Sequence, residues 1–296
     1  MTPFADPIHR PHRLGDGPDR AVVLHGFPGT PAETRAIGES LAGHGWRVNL
    51  PLLPGFGAEY ARLGRMSWRV WRAAVTAELR REWRAARATG GRLLVVGYSM
   101  GAALALCSVA DDGVDVDGLV LFAPFTRFAD PRARFLPLAR YVVRHVRPYA
   151  GVDFADPVVR EQIARKVGTL DLDDPIVQER LRRDVTLPVR SLEELRRVGA
   201  QALRAAASLR GVRAMVVQGQ RDPTVLPRST RALVDRMRET PETVWLPGAD
   251  HLFVLRGQPG HDEALMALAR FAAVLRDDVN PTRRTPSPRV DARRSG

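Results

Sequence analysis

One cysteine, Cys107, and one lysine, Lys166, stand in a chain of 296 residues. A single thiol cannot close an intrachain disulfide or build a cysteine-based metal site, and that scarcity fits a reducing cytoplasm. Also missing is any block of consecutive basic residues with an aromatic platform beside it. The formal net charge of +12 would by itself point to nucleic acid or an anionic membrane. Here the charge sits almost wholly on arginines interleaved with Asp and Glu, as in RAAVTAELRREWRAARA, so no nucleic-acid partner is expected. The opening stretch, MTPFADPIHRPHRLGDGPD, lacks the apolar core of a secretory signal. One uncharged run, Leu93 to Ala110, reaches the length of a membrane span. Gly97, Ser99 and Gly101 interrupt its centre, however; Val95 and Val96 favour strand, and AALALCSVA favours helix. The run divides into strand, turn and helix.

What is present is 45% hydrophobic residues, enough for one large core. RAVVLHG and WRVNLPLLPG have the form of buried strands, with a helix over PAETRAIGESLAGHG between them and a stop at Gly43 or Gly45. SWRVWRAAVTAELRREWRAARATGG predicts a long amphipathic helix, with Ser67 as N-cap and Gly90 as the stop. The strand RLLVVG, a helix from Met100 and the strand GLVLFAP follow. AMVVQGQ and ETVWLPG are later strands, each followed by a helix, the last from about Gly260 to Arg276. Near-continuous apolar strands alternating with helices mark an α/β fold: a mostly parallel sheet covered on both faces. Ligands bind such sheets beyond the carboxyl ends of the strands.

The alternation breaks between about 125 and 209, where prolines punctuate helical patterns and no strand is evident. A helical lid inserted into one domain spanning 20–276 is expected. Residues 1–19 are expected to form an irregular arm and 277–296 a disordered tail.

Gly97-Tyr98-Ser99-Met100-Gly101 matches G-x-S-x-G between a strand and a helix, as a nucleophile elbow requires. The turn is so sharp that side chains two residues either side of the serine would collide with their neighbours; glycine removes the collision. The turn also sets Ser99 at a helix N-terminus, where free N–H groups favour developing negative charge. A serine nucleophile needs a base, and the base needs an orienting carboxylate. Asp222 and His251, each just past a strand, follow in the order Ser, Asp, His. His261 is the nearest rival base and Asp250 the rival acid, although adjacency to His251 makes Asp250 a poor orienter. Two backbone N–H groups are expected to hold the oxyanion: Met100, and Phe27 of HGFPGT. His25 is expected to shape that loop. Phe27, Tyr98 and Met100 would add apolar wall.

These segments carry a resemblance. HGFPGTPAETRAIGESLAGHGWRVNLPLLPGFG, GYSMGA, VVQGQRDPTVLPRSTRALVDRM and PGADH are similar to the α/β-hydrolase superfamily of serine esterases, most of all to small bacterial carboxylesterases and monoacylglycerol lipases. The resemblance implies the α/β-hydrolase fold, a Ser99–Asp222–His251 triad, an oxyanion site at Phe27 and Met100, and neither a metal nor an organic cofactor. It departs at Pro54-Gly55-Phe56-Gly57, where relatives often have PGHG, so Phe56 is expected to narrow or dry the mouth of the pocket. On RFLPLARYVVRHVRPY, the residues Phe135, Leu138, Val142, Val146 and Tyr149 fall on one helical face and Arg140, Arg144 and Arg147 opposite. That face would cover the acyl pocket or dock on anionic lipid. The expected activity is hydrolysis of an ester with an apolar acyl chain. A thioesterase, an acyltransferase or a C–C bond hydrolase would use the same residues. A non-catalytic ligand-binding protein on this fold is the alternative of another class.

Overall fold

The computed structural model describes residues 4, 6–156, 160, 163 and 171–277. Its strands, in chain order, are β1 (His12–Leu14), β2 (Arg20–Leu24), β3 (Arg47–Leu50), β4 (Leu93–Tyr98), β5 (Gly118–Phe122), β6 (His145–Val146), β7 (Leu187–Pro188), β8 (Arg213–Gly219) and β9 (Glu242–Leu246). Seven of them form one sheet in the order β1-β3-β2-β4-β5-β8-β9. All its neighbours run parallel except β1, which pairs antiparallel with β3. Val95 of central β4 faces Val22 on one side and Leu119 on the other. That register brings the carboxyl ends of the central strands to one rim.

Period-two alternation sorts the apolar strand residues into two cores. Val22, Leu24, Val95, Leu119 and Val216 pack against α2 (Trp68–Ala88), α3 (Met100–Ala110) and a later helix, Val189–Ala205. Val23, Leu94, Val96, Val120 and Met215 face the opposite way, against α1 (Arg35–Gly43) and the final helix, His261–Asp277. Each fully buried Val or Leu contributes about 1.5–3 kcal/mol. Because both faces are covered, β2 and β4 read as unbroken apolar runs. Ser67 caps α2 by accepting the Val70 N–H (3.4 Å). The Glu194 carboxylate, from the distant Val189–Ala205 helix, accepts the Trp68 N–H (3.0 Å).

Two expectations need correction. The N-terminal arm is not irregular throughout: a short turn at Pro7–His9 leads into β1, which extends the sheet edge. Three residues between prolines and glycines are too few to show a strand pattern in sequence. The stretch from 125 to 209 is not a single helical insertion either. It holds α4 (Leu136–Val142), α5 (Pro175–Asp184) and α6 (Val189–Ala205), together with a two-residue antiparallel pairing of β6 and β7. Leu195, Val198, Ala202 and Ala205 of α6 are buried in the main core, so α6 belongs to the body of the domain. The segment standing away from the sheet ends near Pro188. Pro157 and the tail from residue 278 onward lie outside the described residues. After β8 come α7 (Pro227–Val234) and α8, the His261–Asp277 helix introduced above.

Candidate active site

β4 ends at Tyr98 and α3 begins at Met100, so the chain turns from strand to helix at one residue. Ser99 makes that turn with φ +52° and ψ −113°, a left-handed conformation sparsely populated by any residue with a side chain. Backbone contacts hold it there: the Ser99 N–H donates to Phe122 O (2.8 Å), and Ser99 O accepts from Ala103 (3.2 Å) and Phe125 (3.2 Å). A Cβ on Gly97 would lie 2.5 Å from the Ala102 backbone, and one on Gly101 2.4 Å from Leu24 O. Both glycines are therefore demanded by close approach. Met100 is the first helical residue, and its N–H is among the donors an α-helix leaves without an internal acceptor.

The loops after β8 and β9 are tied together by the Gln220 N–H to Leu246 O (3.0 Å) and the Arg221 N–H to Ala249 O (2.9 Å). They deliver Asp222 and His251 to the rim beside Ser99. The Ser99 Oγ lies 3.2 Å from His251 Nε2, and His251 Nδ1 lies 2.7 Å from Asp222 Oδ2. Ser99 and Asp222 are buried; His251 keeps a narrow opening to solvent. Asp222 Oδ1 accepts the Thr224 and Val225 N–H groups, both at 2.8 Å. The rivals lie elsewhere. Asp250 caps the following turn by accepting the Leu252 N–H (2.7 Å), and His261 is buried with Nδ1 3.0 Å from Phe253 O.

His25 sits at the end of β2, fully buried. Its Nε2 accepts the Leu53 N–H (3.1 Å), and its Nδ1 lies 2.9 Å from Gly26 O. The ring thus ties the HGFPGT loop to the segment after β3. Burial pushes its pKa down to about 4. The Gly26 N–H donates to the Glu33 carboxylate, and Gly26 packs against Ser99 and Tyr98. Phe27 follows at once, half-buried, with its ring against Phe56 (5.8 Å) and Trp71 (6.3 Å).

Five expected pocket residues take other places. Tyr98 lies beneath the histidine rather than in a substrate wall: its ring is 5.1 Å from that of His251 and its hydroxyl donates to His251 O (2.9 Å). Burial, with Glu33, Asp222 and Asp250 nearby, raises its pKa well above the usual phenol range, so the donating proton is retained. Phe56 is not at the mouth; it is fully buried behind Phe27 and His25. Phe135, Leu138 and Val142 face solvent, the last two 70% and 85% exposed. The helix carrying Leu138 and Val142, which Phe135 precedes, stops at Val142 because the chain extends to pair β6 with β7, so Val146 and Tyr149 leave its face. Gln218, fully buried beside Asp222, and Thr230, fully buried against Gln218, escaped the sequence reasoning. The available signal was a lone amide inside the otherwise apolar strand AMVVQG. Among the described residues, no group of three His, Cys, Asp or Glu side chains could hold a metal ion, and no helix is long and apolar enough to cross a membrane.

A strained serine between strand and helix, on a parallel sheet covered by helices on both faces, defines the α/β hydrolases. Within that class the chain belongs to the family described as serine aminopeptidase, S33, whose model matches residues 18–255. It is 34% identical over 110 residues to a thermostable monoacylglycerol lipase of Bacillus sp. (strain H-257); the alignment spans 37% of this chain and 42% of that relative. Among solved structures, the fold is shared with one described under LipS and LipT, two metagenome-derived lipolytic enzymes (TM-score 0.70, 21% identity, 92% of this chain and 98% of that one). It is shared too with a soluble variant of monoglyceride lipase from Saccharomyces cerevisiae (TM-score 0.69, 13% identity, 90% and 91%). A third is the monoacylglycerol lipase of Paleococcus ferrophilus (TM-score 0.65, 14% identity, 90% and 98%).

Proposed function

We propose that this chain hydrolyses carboxylic esters with an apolar acyl group, monoacylglycerols among them, through an acyl-enzyme on Ser99. His251 Nε2 takes the hydroxyl proton as Ser99 Oγ attacks the ester carbonyl. Asp222 holds the imidazole in the tautomer that leaves Nε2 free to accept, and stabilises the imidazolium. The Phe27 and Met100 N–H groups hold the oxyanion. The intermediate collapses, the alkoxide leaves with the proton from His251, and water repeats the sequence to release the acid. The observation that carries this reading is the continuous contact from Ser99 Oγ to His251 Nε2 and from His251 Nδ1 to Asp222 Oδ2. The monoacylglycerol lipase relative and the aromatic surroundings of Phe27 support the substrate class, and the scarcity of cysteine supports work in the cytoplasm.

A fluorophosphonate probe is expected to label the protein at Ser99 and to leave the Ser99→Ala variant unlabelled, as intact-mass measurement reads directly. Equal labelling of both would end the assignment. A monoacylglycerol and an aminoacyl p-nitroanilide assayed side by side separate lipase from aminopeptidase chemistry, and the ester is expected to be the substrate.

The segment around α4 serves as part of the lid in this reading, and its outward face meets lipid. Leu138, Tyr141 and Val142 project into solvent, and Arg134, Arg144 and Arg147 are exposed on the same segment. Exposed apolar side chains accompanied by cations fit an anionic lipid surface. The double variant Leu138→Glu, Val142→Glu is expected to lose co-sedimentation with phosphatidylglycerol vesicles while keeping turnover of a water-soluble ester. Undiminished vesicle binding would remove this partner.

A further inference from the structure

We infer that Gln218 is a positioning residue for the proposed hydrolysis, acting through Asp222; the inference rests on the Ser99–His251–Asp222 reading. Gln218 lies near the end of β8, fully buried in a strand that is otherwise apolar after the exposed Arg213 at its start. A buried amide left unpaired is costly, and here every polar atom of the side chain is engaged. Its Nε2 donates toward three oxygens: Gly219 O (3.0 Å), Asp222 Oδ2 (3.1 Å) and Val225 O (3.1 Å). Its Oε1 accepts from the Thr230 hydroxyl (2.6 Å). Turning the amide over would set its oxygen against three acceptors and its nitrogen against the threonine, so the orientation is dictated by the surroundings.

Asp222 Oδ2 is the oxygen that faces His251 Nδ1. It is therefore shared between the imidazole and the Gln218 amide, while Oδ1 is occupied by two backbone donors. With four donors on two oxygens, the carboxylate has no freedom to rotate away from the histidine. Gln218 also bonds the carbonyl of Val225, in the same loop that carries Asp222, and so fixes carboxylate and loop together. Thr230, on α7, locks the amide from behind. Catalytic geometry here depends on a side chain that touches neither substrate nor serine.

The test is steady-state hydrolysis of a p-nitrophenyl ester by the full chain across roughly pH 5 to 9, for wild type, Gln218→Leu, Thr230→Val and Ser99→Ala. Gln218→Leu is expected to lower kcat about ten- to a hundredfold, the range for losing a hydrogen bond to a charged group, with KM little changed. The acid limb of its kcat/KM profile is expected at higher pH. Negative charge no longer shared with the amide binds the imidazole proton more tightly, so more alkali is needed to free the base. Thr230→Val keeps the side-chain shape and releases only the lock; its kcat falls several-fold and its acid limb moves the same way. It decides the matter should Gln218→Leu not fold. Folded variants with wild-type kcat and an unmoved acid limb overturn the inference. A lowered kcat with an unmoved acid limb and a lower unfolding temperature marks a purely structural residue and overturns it as well. Ester turnover undiminished in Ser99→Ala would instead remove the triad reading beneath it, an outcome recognisable without either Gln218 or Thr230.

Discussion

Asp222→Asn is expected to lower kcat for ester hydrolysis by about four orders of magnitude while leaving the protein folded. The argument is one of donors and acceptors. Two backbone N–H groups point at Oδ1, from Thr224 and Val225, so the oxygen of an asparagine amide must take that side. Its NH2 would then face the position now held by Oδ2, opposite both the Gln218 amide nitrogen and His251 Nδ1. Donor would meet donor at Gln218. At the histidine, the NH2 could be satisfied only if Nδ1 became an acceptor, which moves the ring proton to Nε2. That nitrogen would then present a proton to the Ser99 hydroxyl and could no longer accept one. Substrate binding needs no such transfer, so KM stays close to wild type and the loss falls on kcat. Asp250→Asn supplies the contrast. That carboxylate caps the turn carrying His251 through the Leu252 N–H, and its replacement is expected to change turnover only a few-fold. Kinetics with a p-nitrophenyl ester check both. The reverse ranking would show that the acid is residue 250.

The features that sequence made legible are those whose constraint is local. Gly97 and Gly101 are readable because the elbow forbids a Cβ at the positions two before and two after Ser99. The α/β class was legible because strands covered on both faces carry few polar residues, and β2, β4 and β5 carry none outside one strand end. His251 and Asp222 were legible because strand ends mark the rim. Side-chain direction was harder. Tyr98 neighbours the serine in sequence, but it packs with Phe122 and Phe253 in the core on the α1 and α8 side of the sheet. The face shared by Phe135, Leu138 and Val142 continues along the sequence to Tyr149. A pairing with residues 187 and 188 ends the helix before it arrives. Helical periodicity carries no information about that distant partner. Gln218 was legible only as an anomaly, a polar side chain in a buried strand; its meaning required knowing that Asp222 and Thr230 lie against it.

His25 makes the second large effect a matter of acidity. Its Nε2 accepts the Leu53 N–H and its Nδ1 faces Gly26 O, so the neutral ring with its proton on Nδ1 satisfies both neighbours. A second proton would point an N–H at an N–H in a site without solvent. Burial accordingly holds the folded pKa near 4, against about 6.5 in an unfolded chain. Between those values the unfolded chain binds the proton and the folded one does not, so stability rises with pH across the window. The contribution is fully present above about pH 6.5 and is lost as pH falls toward 4, by about 3 kcal/mol in all. Urea unfolding of wild type at neutral and acid pH is expected to show that loss. In His25→Asn, which cannot titrate there, the difference between the two conditions should shrink by most of this amount. Comparing the two proteins cancels the carboxylates that titrate in the same range; an identical pH dependence would mean that His25 does not govern it. The consequence reaches the chemistry, because the loop that His25 ties down is the one that presents Phe27. Acid therefore threatens the proposed oxyanion site through a histidine that takes no part in proton transfer.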